Sequence, residues 1–119
     1  MFGLFGGGPK MPVNDVKTAI ESGAAVLVDV RDPSEVRASG VAEGAINVPL
    51  TTLQMKANPS SPECLPAFKE GKTVVVYCAS GARSAGAAQM LRQMGHQSVE
   101  NLGGLRDWAM GGGAVVPAA

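Results

Sequence analysis

One cysteine of this 119-residue chain stands where chemistry is possible. Cys78 closes the apolar run 73–77 and is followed by Ala79-Ser80-Gly81-Ala82-Arg83. Small residues there let the backbone curl with several N–H groups turned inward, which makes an anion-binding nest. A helix beginning near Ser84 adds the positive end of its dipole. A thiol held over such a cradle ionises more readily than an ordinary one and reacts as thiolate. Arg83 is the only fixed cation in the loop, and a guanidinium suits an oxyanion. A structural cysteine would want bulky apolar neighbours instead. Cys78 is therefore the candidate nucleophile, and residues 79–84 its candidate anion cradle.

Other chemistry-bearing groups read as structural. Asp29 and Arg31 end the β-branched run 26–30, and with Glu35 they are expected to pair and fix a strand–helix turn. His96 follows the helix-ending Gly95 and reads as a surface or capping group. Cys64 lies among Pro62, Leu65 and Pro66, which suggests a packed turn and no redox partner. Cys64, Cys78 and His96 lack zinc-ligand spacing, so no metal is expected.

The elements that must position Cys78 follow from hydrophobic period and punctuation. Residues 15–22 read as a short amphipathic helix capped by Asn14, and 26–30 as a strand buried on both faces. Asp32, Pro33 and Glu35 supply cap, first position and third position of a short helix closed by Gly40. Residues 45–48 read as a strand stopped by Pro49, and 51–66 as mostly loop, with a short helix near 62–69. The run 73–77 is the strongest strand. A helix over 84–94 buries Ala87, Ala88, Leu91 and Met94. Residues 98–100 read as a strand, and 105–110 as a helical turn anchored by Trp108. Residues 1–10, with Phe2 and Phe5, and 111–119 read as flexible glycine-rich tails around one domain, 11–110. Alternating strands and helices predict an α/β domain, with a parallel sheet of four to five short strands and helices on both faces. Ligands bind outside the carboxyl ends of such strands, where Asp29, Arg31, Asn47, Cys78 and Gly103-Gly104 fall.

Composition narrows the partners. Ten basic side chains balance ten acidic ones, and no basic run stands out, so neither nucleic acid nor an anionic membrane is expected. No apolar stretch reaches the roughly 18 residues of a membrane helix. The N-terminus has no basic start or cleavage site of a secretory signal, which makes a cytoplasmic location the expectation.

Taken in order, the motifs resemble a known family. Leu27-Val28-Asp29-Val30-Arg31, Glu35, Gly40 and Gly44-Ala45-Ile46-Asn47-Val48-Pro49 look like the front half of a rhodanese domain. Val74 to Gly95, then Val99-Glu100-Asn101-Leu102-Gly103-Gly104-Leu105 and Trp108, look like its back half. The resemblance spans about residues 12–110 and is closest to small single-domain rhodaneses. It implies a sulfurtransferase of the thiosulfate type, with no cofactor, in which Cys78 attacks a donor and carries its outer sulfur as a persulfide. The amides of Ala79, Ser80, Gly81, Ala82, Arg83 and Ser84 would hold that sulfur, and Arg83 would orient the donor's oxyanion. Implied partners are small sulfur-containing anions and a protein sulfur donor or acceptor. A protein-persulfide carrier and a non-catalytic interaction module are the alternatives within the fold. A phosphatase or arsenate reductase is disfavoured, because the resemblance gives those enzymes one more residue between cysteine and arginine and an upstream acid.

Overall fold

Two β-branched runs form the centre of the sheet in the computed structural model, which describes residues 11–118. They are β1 (Ala25–Asp29) and β4 (Thr73–Cys78), paired in parallel from Ala25↔Thr73 to Asp29↔Tyr77. β3 (Ile46–Asn47) lies outside β1, and β5 (Val99–Gly104) outside β4, which gives the order β3-β1-β4-β5, all parallel. The α/β architecture expected from the alternation of elements is present, with four strands in the sheet.

Strand side chains alternate between faces, and the two cores follow from that alternation. Val26, Val28, Val74, Val76 and Cys78 share one core with Ala87, Ala88 and Leu91 of α4 (Ala82–Gln93) and with Leu53, Cys64 and Phe68. Ala25, Leu27, Val75 and Tyr77 share the other with Val16 of α1 (Val13–Glu21) and Trp108 of α5 (Leu105–Met110). Both faces are thus covered, as a parallel sheet requires. The sequence stripe of α4 extends one turn further back than expected, to a buried Ser84.

Several local expectations are corrected. Helix α1 starts at Val13 with Pro12 at its cap, so Asn14 lies inside it. Residues 51–66 are not mostly loop: a 3-10 turn over Leu50–Thr52 runs into α3 (Leu53–Ala57). Leu53 and Ala57, four apart and fully buried, hold that helix in place. A five-residue helix is too short to show a period, and packing rather than propensity stabilises it. The helix near 62–69 is a single 3-10 turn, Pro66–Lys69.

The C-terminal stretch is no tail. β6 (Val115–Val116) pairs antiparallel with β2 (Val41–Ala42), and the Trp108 indole Nε1–H donates to the Ala114 carbonyl at 2.7 Å. Two of its three glycines serve close approach: a Cβ on Gly113 would run into the Trp108 ring, and one on Gly111 into the Val13 side chain, while Gly112 between them has a positive φ of 97°. Residues 1–10 lie outside the described residues, and so does the reading of them as a tail.

Gly113→Ala is therefore expected to destabilise the protein by about 1–3 kcal/mol through overpacking. Urea denaturation measures this, and an unchanged midpoint would show that the strap contributes nothing. The Cys78 alkylation rate should stay as it is, since Trp108 packs against the other face of the sheet.

Candidate active site

The pleat of β4 decides where the thiol points. Cys78 continues the face of Val74 and Val76, the face covered by α4, and so sits buried beneath that helix's first turn. The chain reaches α4 through Gly81, its cap residue, at φ 104°, a left-handed conformation that favours glycine. A Cβ there would also press on Gly103 Cα at 3.3 Å. Gly104, the register partner of Cys78, abuts the Ala79 carbonyl so closely that no side chain fits. A register shift beyond Val76 leaves Leu102 as an extra residue in β5, and such bulges re-aim neighbouring side chains. The loop is thus clamped between α4 and the end of β5.

Two amide donors converge on the sulfur, with a hydroxyl beside them. The Gly81 N–H donates to Sγ at 2.9 Å and the Ser84 N–H at 3.4 Å, while the Ser84 hydroxyl lies 3.4 Å away. Burial pushes the Cys78 thiol up. The Ser84 hydroxyl and the amides of Ser84, Gly81 and Ser80 favour the charged form and prevail, leaving the thiol below its ordinary range. Of the six amides in the expected cradle, those of Ser80, Gly81 and Ser84 thus bear on the sulfur itself.

The Ser84 hydroxyl has a single proton and several acceptors around it. Asn101 Oδ1 is nearest at 2.7 Å, with the Gly81 and Gly103 carbonyls at 3.1 and 3.3 Å. Asn101 also receives the Gly103 N–H at 3.0 Å and donates from Nδ2 to the Gly81 carbonyl at 3.3 Å. Sequence reasoning missed Asn101 as a site residue and used Ser84 only for its amide. The legible signal was a serine in register with Ala87, Ala88 and Leu91 on the buried stripe of α4.

At the rim, the pairing differs from expectation. Glu35 does not join Asp29 and Arg31; its carboxylate forks the Arg83 guanidinium, NH1 to Oε1 at 2.7 Å and NH2 to Oε2 at 2.9 Å. Glu35 Oε1 also accepts the Asp32 N–H at 3.2 Å, which ties the fork to the start of α2 (Pro33–Ser39). The Arg83 hydrogen bonds hold the Glu35 carboxyl down at about 2, and Glu35 in turn raises Arg83. Arg31 and Asp29 pair with each other, buried, through contacts of 2.7–3.1 Å. Arg31 reaches on to Ser39 Oγ and the Gly40 carbonyl at 2.6 and 2.7 Å. These two residues build the turn, and none of their side-chain hydrogen bonds goes to the cysteine or its loop.

His96 and Cys64 stand apart from the loop. The His96 Nε2–H donates to the Ala57 carbonyl at 2.8 Å and joins the ends of α3 and α4. Cys64 is buried in a packed turn, with its Sγ 3.5 Å from the Leu65 carbonyl. Among the described residues no group of three or more His, Cys, Asp or Glu side chains is arranged for a metal ion. No described helix is long and apolar enough to cross a membrane.

A parallel α/β domain that cradles a buried cysteine at a strand's carboxyl end is the class of protein the fold and site define, and comparison with known proteins gives the family. Residues 12–110 match the rhodanese-like domain model. Thiosulfate sulfurtransferase PspE of Escherichia coli is 39% identical over 83 residues, 70% of this chain and 73% of that protein. The structure of human single-domain sulfurtransferase TSTD1 superposes with a TM-score of 0.69 at 30% identity, covering 87% of this chain and 97% of that one. A Rhodopseudomonas palustris protein of unknown function, described as a possible tyrosine phosphatase, superposes with a TM-score of 0.75 at 36% identity, covering 87% and 81%. Two other curated relatives are longer, this chain spanning 45% and 60% of their length. The chain belongs to the single-domain rhodanese-like sulfurtransferase family.

Because the Ser84 hydroxyl favours the thiolate, Ser84→Ala should raise the Cys78 pKa. The pH profile of iodoacetamide alkylation reads this directly. The wild-type rate is expected to rise with pH at a lower midpoint than an ordinary thiol, and the variant's midpoint to move alkaline. An unmoved midpoint would assign the effect to the backbone amides alone.

Proposed function

We propose that the protein moves a sulfane sulfur from thiosulfate or a persulfide donor to a thiophilic acceptor, cyanide or a thiol, through a persulfide on Cys78. The observation that carries this reading is the buried sulfur held by the Gly81 and Ser84 donors at the mouth of α4. In the first step the Cys78 thiolate attacks the outer sulfur of thiosulfate. The new S–S bond forms as the old one breaks, and sulfite leaves with the electron pair. In the second, cyanide attacks the outer sulfur of the persulfide, giving thiocyanate and restoring the thiolate. A thiol acceptor takes the sulfur by the same displacement. No net oxidation occurs, and no redox cofactor enters either step.

The names of the relatives support this chemistry, PspE being a thiosulfate sulfurtransferase and a human relative a thiosulfate:glutathione sulfurtransferase. Phosphate-ester chemistry is less well served. An arginine that must fork a phosphate is here forked on Glu35, and only four residues separate it from Cys78.

Incubation of the reduced protein with excess thiosulfate should add one sulfur atom to the intact mass of wild type and none to Cys78→Ser. A gain on the serine variant, or turnover by it, would overturn the assignment. Arg83→Ala leaves Glu35 uncompensated at the rim. It should raise KM for thiosulfate by about three- to tenfold with a smaller effect on kcat, as steady-state thiocyanate formation would show.

A further inference from the structure

A donor approaching the Cys78 sulfur meets Arg83, and Arg83 is already occupied. Both terminal nitrogens of its guanidinium are engaged by both oxygens of Glu35, at 2.7 and 2.9 Å. The pair lies at the surface, Arg83 38% and Glu35 35% exposed, so it faces what comes from solvent. Bidentate forks are the strongest geometry a guanidinium offers a carboxylate, and the same geometry would be needed for an incoming sulfonyl group. Asp32, cap of α2, also lies close enough to act on the Arg83 charge, as does the Cys78 sulfur. Among the described residues acting on that charge, the rim thus holds one cation against two carboxylates. The Cys78 sulfur lies behind them.

We infer that Glu35 sets donor selectivity: by forking Arg83 it cancels the attraction for a dianion and turns the site toward sulfane-sulfur donors with a single negative charge or none. The inference rests on the sulfurtransferase reading and adds the class of donor to it. Glu35 stays ionised down to about pH 2, so the mask is in place at every pH where the thiolate forms. The amides on the sulfur are untouched by it. They serve any donor equally, because they see the reacting sulfur and not the leaving group.

Two donors with the same sulfane sulfur separate the possibilities. Thiosulfate leaves as dianionic sulfite, and benzenethiosulfonate leaves as monoanionic sulfinate by the same displacement. With cyanide as acceptor, kcat/KM for each donor would be measured on wild type, Glu35→Gln and Asp32→Asn. Asparagine still caps a helix, so the second variant removes rim charge without touching the fork.

In Glu35→Gln the ratio of kcat/KM for thiosulfate to that for benzenethiosulfonate should rise by about three- to tenfold, and in Asp32→Asn by less. The gain should shrink as ionic strength rises, since exposed charges are screened beyond about 10 Å at 0.1 M salt. An unchanged ratio in both variants would overturn the inference. So would an equal loss for both donors in Glu35→Gln, which would make Glu35 a tether for the loop and nothing more. If wild type gave neither a Cys78 persulfide nor thiocyanate from either donor, the sulfurtransferase reading itself would fail. Wild-type turnover with an unchanged ratio would fail the donor assignment alone.

Discussion

A negative sulfur can be buried only if donors replace the water it loses, and that constraint organises one end of this molecule. An unpaired buried charge costs several kcal/mol, whereas each hydrogen bond to a charged group contributes about 1.5–3 kcal/mol. The Gly81 and Ser84 donors to Cys78 meet the requirement only while the loop holds its shape. The shape depends on what lies behind it. Gly81 needs its positive φ, Gly104 must lack a side chain to admit the Ala79 carbonyl, and Asn101 must hold Ser84 from the far side. The end of β5 is thus a template for the loop, and its bulge places Asn101 toward the loop while Leu102 enters the opposite core.

The rim has its own support. The buried Asp29–Arg31 pair fixes the carboxyl end of β1, and Asn47 Nδ2 bonds the carbonyls of both residues at 2.9 Å. Arg31 then grips the far end of α2 at Ser39 and Gly40. Helix α2 is therefore held at its C-terminus by a buried cation and at its N-terminus by the Glu35–Arg83 fork. Removing one member of the buried pair would leave an uncompensated charge, commonly a loss of 3–5 kcal/mol. It would also release the helix that carries Glu35. Rim electrostatics and fold stability meet in this one short helix.

The sheet, the long helix and the cysteine loop were legible in the sequence because each is encoded locally. The β-branched runs 26–30 and 73–77 and the 3.6-residue stripe of α4 state their own period, and small residues after a strand announce a nest. What was not legible depends on contacts distant in sequence. Glu35 and Arg83 are 48 positions apart, and Ser84 and Asn101 are 17 apart; nothing local says which carboxylate or amide meets which partner. The C-terminal glycines misled for a related reason. Glycine marks freedom or crowding alike, and only Trp108 lying against Gly113 shows that crowding applies. Helix α3 escaped notice because five residues, anchored by Leu53 and Ala57, carry too little pattern.

The start of α4 also bears on why a persulfide suits this cradle. A helix leaves its first four N–H groups without intrahelical acceptors, and here those belong to Gly81, Ala82, Arg83 and Ser84. The Gly81 and Ser84 groups end on Sγ. The two between them, on Ala82 and Arg83, stay available to a further acceptor at the same end of the helix. In the proposed reaction the charge moves one atom outward when sulfur is taken up, from Sγ to the terminal sulfur of the persulfide. In that reaction the outer two amides of the set would serve the thiolate and leave the inner two for the persulfide, with the same helix dipole favouring both anions. A cradle with two such tiers would hold both forms of the proposed cycle without rearranging, as a carrier that alternates between them requires.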